Sequence, residues 1–166
     1  MQQRPHIGPN YDEDFFAWTQ HQARVLRGLG KQNSAVPQDL DLAHVAEEIE
    51  DLGKAELRGA TGLIRNIMVH LIKAASVPSA DAVGHWRTEV TTFHADLPEF
   101  YTPSMRQRIN VQKLWIRARG IAEGALQEHG ASIASTVTTE CPFSLKELVA
   151  EDFRFDAALE RLRRRD

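Results

Sequence analysis

Asp41-Leu42-Ala43-His44-Val45-Ala46-Glu47-Glu48-Ile49-Glu50-Asp51-Leu52 decides the fold class. Leu42, Val45, Ile49 and Leu52 recur at three- and four-residue steps, which is the repeat of one helix face and not of a strand. Glu47, Glu50 and Asp51 turn away from that stripe, and Glu48 flanks it. Beyond Gly53 the pattern resumes as Ala60, Leu63, Ile67, Leu71 and Ala74. One unbroken helix over these residues would be roughly 50 Å long at 1.5 Å per residue. Gly53, Gly59 and Gly62 each cost about 1 kcal/mol inside a helix, so a kink or break near Gly53 is the alternative.

The same period continues outward in both directions. Tyr11, Phe15, Trp18, Val25, Leu26 and Leu29 predict a first helix, opened by an Asn10/Glu13 capping box and stopped at Gly28 and Gly30. Trp86, Val90, Phe93 and Leu97 predict a third, with Pro98 distorting its end. A fourth is expected from Thr102-Pro103 to about His129, closed by Gly130. It shows Val111, Leu114, Trp115 and Ala118 on one side and Met105, Ile109 and Ile116 on the other. Ser144 with Glu147 forms a capping box before Leu145 and Leu148. Strand-like character is confined to a weak stretch around Ser135 to Thr139. The expected architecture is all-α: a bundle of about four to five main helices with a short C-terminal helical extension. Residues 1–9 read as a tail, 10–153 as a single domain and 154–166 as a helix or frayed end.

The 166 residues are 42% hydrophobic and carry a formal net charge of -3, a balance that argues against a general nucleic-acid binder. No apolar run approaches the roughly 18 residues of a membrane span. The polar start of the chain does not resemble a signal peptide. The single cysteine, Cys141, supports neither an internal disulfide nor a cysteine-rich metal site. A cytoplasmic setting fits these features.

Three blocks carry a resemblance. They are Tyr11-Asp12-Glu13-Asp14-Phe15-Phe16-Ala17-Trp18-Thr19-Gln20-His21-Gln22-Ala23, then Leu42 to Glu56, then His70-Leu71-Ile72-Lys73. Together they resemble the bacterial family called domain of unknown function number twenty-nine. Trp86-Arg87, Pro103-Ser104-Met105-Arg106 and Cys141-Pro142-Phe143-Ser144-Leu145 are similar to its later blocks. The resemblance spans roughly Asn10 to Phe153. It implies a small all-helical protein and supplies no catalytic residues.

Several polar residues stand where apolar ones are expected. Gln22 falls between Trp18 and Leu26, and a buried amide without partners costs roughly 1–3 kcal/mol. Glu56 and His70 fall on the second helix's stripe, about 21 Å apart along a straight helix, too far to share one site on it. Glu47, Glu48 and Asp51 lie three and four residues apart and are the candidate metal carboxylates. No second Glu-x-x-Asp pair follows them, Glu-x-x-His motifs are missing, and no metal or cofactor is expected.

Gln22, Glu47, Glu48, Asp51 and His70 therefore form the candidate polar cluster, and Met105, Ile109 and Ile116 the candidate interface. The leading expectation is a non-enzymatic interaction or regulatory module with a homodimer or protein partner. The alternative is a Mg²⁺- or Mn²⁺-dependent nucleotide or phosphoester hydrolase using Glu47, Glu48 and Asp51, with His70 as acid or base. A third is an antitoxin-like regulator reaching nucleic acid through Arg161-Leu162-Arg163-Arg164-Arg165.

Overall fold

The computed structural model describes residues 8–32, 36, 37 and 39–164; residues 1–7 of the expected tail and Arg165 lie outside that set. The described residues form α1 (Phe15–Gln32), α2 (Leu42–Ser76), α3 (Ala80–Phe100), a 3-10 turn (Pro103–Gln107), α4 (Val111–Gln127), α5 (Leu145–Leu148) and α6 (Phe155–Arg163). No strand occurs among them, and none of these helices is long and apolar enough to cross a membrane. The chain divides into two compact units. Among the described residues, the first holds those up to Gly59 with Tyr101–Gln107, and the second holds Ala60–Phe100 with those from Arg108 onward. Helix α2 is unbroken and supplies residues to both.

In the first unit α1 and α2 run antiparallel. Gly30 lies against Leu42, Arg27 pairs with Glu50, and Thr19 lies against Gly53. The closest approach is made by small residues. Thr19 is fully buried, and its hydroxyl donates to the Phe16 carbonyl at 2.8 Å. A Cβ on Gly53 would overlap Thr19 Oγ1 and sit 3.2 Å from Thr19 Cβ. Gly53 is therefore a notch for Thr19 and not a kink. Phe16, Ala23, Leu42 and Ala46 complete the buried seam.

The start of α1 differs from the sequence expectation. Asn10 serves the preceding turn, accepting from the Asp12 N–H, while the helix itself is capped by Asp14. One oxygen of Asp14 accepts from the Ala17 N–H at 2.9 Å, the Thr102 hydroxyl at 2.9 Å and the Ser104 hydroxyl at 2.8 Å. The cap thus ties the 3-10 turn to α1. Gly28 and Gly30 do not end α1, which continues to Gln32. Asp41 caps α2 through the His44 N–H.

In the second unit the later part of α2 buries Ile64, Ile67, Met68, Leu71 and Ile72 completely. Trp86, Val90 and Leu97 of α3 are buried as the sequence implies. Thr88, Thr91 and Thr92 stay exposed on α3 and donate to the carbonyls four residues back, which satisfies hydroxyls that otherwise disfavour a helix. The fourth helix begins later than expected. Its cap is Asn110, accepting from the Lys113 N–H at 2.9 Å, and Pro103 starts the separate 3-10 turn instead.

The end of α4 is as read: Gly130 has φ +69, with Gly130 N–H bonded to Gln127 and Ala131 N–H to Leu126. The loop after it is irregular because α4 side chains take its carbonyls. Arg119 donates to Val137 and Thr138, Trp115 to Thr138 and Gln112 to Thr139. Helix α6 is not a frayed end, since Phe155, Ala158, Leu159 and Leu162 are buried.

Gly53 and Gly62 give opposite expectations. Alanine in place of glycine normally stabilises an exposed helix interior by about 0.5–1 kcal/mol. Gly62 has nothing within 4 Å of an added Cβ, so Gly62→Ala is expected to follow that rule. Gly53→Ala forces overpacking against Thr19 and is expected to destabilise by about 1–3 kcal/mol. Urea unfolding of the two variants checks the opposite signs.

Candidate functional site

Helix geometry fixes what the small-residue seam leaves outside. Stepping back one residue from the seam of α1 (Thr19, Ala23, Leu26, Gly30) gives Trp18, Gln22, Val25 and Leu29. Stepping back from the seam of α2 (Ala46, Glu50, Gly53, Leu57) gives Val45, Ile49, Leu52 and Glu56. In an antiparallel pair, equal rotations about the two axes turn both rows to the same side of the hairpin. Gln22 and Glu56 apart, that side is apolar, with Trp18 and Ile49 half-buried and the rest open. Val25 is 49% exposed, Leu52 is 54% exposed, and Leu29 and Val45 are also open. Tyr11 and Phe15 extend it, meeting edge to face with centroids 5.2 Å apart, and Trp18 joins both rings.

The opposite side of the hairpin is ionic. Arg27 binds Glu50, and Lys54 reaches Glu50 at 3.3 Å and Asp51 at 2.8 Å. The Arg27 hydrogen bond, then the Lys54 one, holds the Glu50 carboxyl below the usual range; Lys54 does the same for Asp51. Such exposed pairs contribute little individually. They set the charged side chains of the hairpin opposite its apolar rows.

The members of the expected polar cluster are divided between the two units. Gln22 is half-buried on the apolar side, Glu47 is exposed on the ionic side, and Glu48 is exposed at the outer edge of α2. Asp51 is engaged by Lys54. Glu56 is partly exposed, with no break in α2. His70 belongs to the second unit, where its ring lies 5.6 Å from Phe93. No group of three or more His, Cys, Asp or Glu among the described residues is placed to hold a metal ion.

The expected interface is also corrected. Met105 lies in the 3-10 turn and Ile109 before α4, and both are buried; Ile116 alone of the three is exposed. The assumed second stripe required one helix through all three residues, and the Asn110 cap separates them. The basic end of the chain is used locally. Arg161 donates to the Pro142 carbonyl and Glu147, Arg163 to the Ala74 carbonyl, and Arg164 to Glu160. The Ser144 backbone N–H, Arg161 and the Ser144 hydroxyl together lower the Glu147 carboxyl to about 2.

The exposed residues of the hairpin were read from the sequence as core. A pointer to the true seam was present: Ala46 and Gly53 stand seven residues apart on α2.

Against known proteins, the profile of the family described as domain of unknown function DUF29 matches residues 10–154. The chain belongs to the DUF29 family. A crystal structure of an alpha-helical protein of unknown function from Rhodospirillum rubrum is 40% identical to it. The likeness covers 94% of this chain and 99% of that one, with a TM-score of 0.89. Comparison with curated proteins gives no match.

His70 gives this DUF29 chain a defined pH response. Burial, with Lys73 adding to it, pushes the imidazole below the ordinary histidine range, while Glu89 opposes the shift. The unfolded chain then takes up the proton first, so this contribution to stability is fully present above about pH 6.5 and is lost as pH falls below it. The difference in unfolding free energy, parent minus His70→Gln, is expected to be smaller at about pH 5 than at about pH 7.5. Paired urea titrations at the two pH values check it; an unchanged difference contradicts the assignment.

Proposed function

We propose that the chain is a non-enzymatic protein-interaction module whose binding surface is the apolar side of the α1–α2 hairpin. One observation carries the reading: Trp18, Val25, Leu29, Val45 and Leu52 line one side of a helix pair whose other side is ionic, and all of them but Trp18 are exposed. Contiguous apolar surface of this kind, rimmed by polar residues, marks a contact site more often than scattered exposed leucines do. Glu48 and Asp41 at the edge of α2 supply the polar rim. The hydrolase alternative has less to support it: Glu47, Glu48 and Asp51 lie three and four residues apart on α2, but Asp51 is taken by Lys54 and no group of three or more His, Cys, Asp or Glu among the described residues is placed to hold a metal ion. The nucleic-acid alternative loses Arg161 and Arg163 to carbonyl contacts within the second unit.

A photoreactive amino acid placed at Leu52 and, separately, at Glu47 tests the surface in cells that express the protein. Discrete protein adducts are expected from position 52 and not from position 47. Equal labelling at both positions, or none at 52, contradicts the proposal.

A further inference from the structure

Independently of the hairpin surface, we propose that the second unit holds a small-molecule site between α5 and α6 that takes a monocarboxylate with an aryl or short alkyl body. A cavity of about 390 Å³ opens there. Small-molecule sites span roughly 300–1,000 Å³, so the space suits one small organic ligand. The sequence makes this room with small side chains. Ala157 and Ala158, in the first turn of α6, share the cavity wall with the rings of Phe143 and Phe153. Phe143 and Ala158 are buried and Phe153 is half-buried, which gives the cavity an apolar floor.

The rim is charged, and its charges differ in availability. Arg161 and Glu147 satisfy each other. The guanidinium donates to Glu147 Oε1 at 2.8 Å and lies 5.4 Å from the centre of the Phe143 ring. The Ser144 N–H and hydroxyl donate to the other Glu147 oxygen, each at 2.8 Å. That pair closes one side of the cavity and offers it no free charge. Lys146 and Arg154 also line it, and their side chains make no ion pair among the described residues. Asp152 is the acid beside them. Two free cations against one carboxylate leave a single positive charge in excess, which a monoanion matches.

The start of α6 adds to this attraction. Arg154 is its N-cap residue and makes no side-chain cap, while Asp156, the acid of its first turn, is engaged by Arg87. The positive end of the helix therefore stays open beside Arg154. An arginine fork and a lysine ammonium together suit a planar carboxylate, and the alanine and phenylalanine floor suits the apolar body attached to it.

The test is a titration of the full chain with phenylbutyrate, phenylbutanol and phenylbutylamine, followed by amide shifts of nitrogen-labelled protein. The three probes share one body and differ in the charge of the head. Saturable shifts are expected at Phe143, Phe153 and Ala157 with the carboxylate, with the alcohol at least about fivefold weaker and the amine weaker still. Ala157→Trp, at an exposed position, fills the cavity and is expected to abolish binding with the helices intact by circular dichroism. Lys146→Gln combined with Arg154→Gln, both exposed, is expected to bring the carboxylate down to the level of the alcohol. Arg117→Gln, a loss of charge on α4, is expected to change nothing. No saturable shift up to about 10 mM carboxylate overturns the proposal, as does equal binding of the three heads. Binding that survives Ala157→Trp, or a carboxylate preference that survives loss of both cations, overturns it as well.

Discussion

The first unit depends on one close approach, the burial of Thr19 in the notch of Gly53. Around that approach the seam is filled by small residues, Ala23 and Ala46, while Phe16 and Leu42 are buried further along it. Larger apolar side chains are then displaced from the seam by a rotation of about 100 degrees, one residue along the helix. Val25, Leu29, Val45 and Leu52 are exposed, with Trp18 half-buried beside them, as a consequence of how tightly the hairpin closes. The candidate surface and the stability of the unit thus trace to the same packing decision. The triple use of the Asp14 carboxylate reinforces it by holding Thr102 and Ser104 at the start of α1.

The second unit is held differently. Its centre is a conventional apolar core from α2, with Trp86 and Val90 of α3 and Trp115 of α4 also buried. Its irregular segment is organised by side chains donating to backbone carbonyls. Arg119, Trp115 and Gln112 hold the loop after α4, Arg163 takes a carbonyl of α2, and the Ser76 hydroxyl accepts from Ala134. Buried or half-buried carbonyls need such partners. These arginines therefore have structural work that a reading by charge alone assigns to solvent or nucleic acid.

Much of the fold was legible in the residues. The all-α class followed from the period of α2, the Gly130 stop from its place after α4, and the Ser144/Glu147 box from its spacing, which the structure contains. The Asn110 cap was missed because Pro103 offered a stronger start signal, and its N1-like position opened only a 3-10 turn. The candidate surface was missed for a deeper reason. Hydrophobic periodicity assigns the largest apolar side chains to the core, and in a hairpin closed by Gly53 they are on the outside. Gln22 and the Glu47–Asp51 run attracted notice as polar residues near that stripe. Their relation to a cleft could not follow from spacing, because it depends on which side of each helix is closed.

A double-mutant cycle between positions 19 and 53 is the most direct measurement of this constraint. If the two groups share one space, most of the penalty of Gly53→Ala disappears in a Thr19→Ala background, and the cycle shows favourable coupling of about 1 kcal/mol or more. Additive penalties would mean that Thr19 and Gly53 do not meet. The account of why the apolar side of the hairpin is left uncovered would then be contradicted.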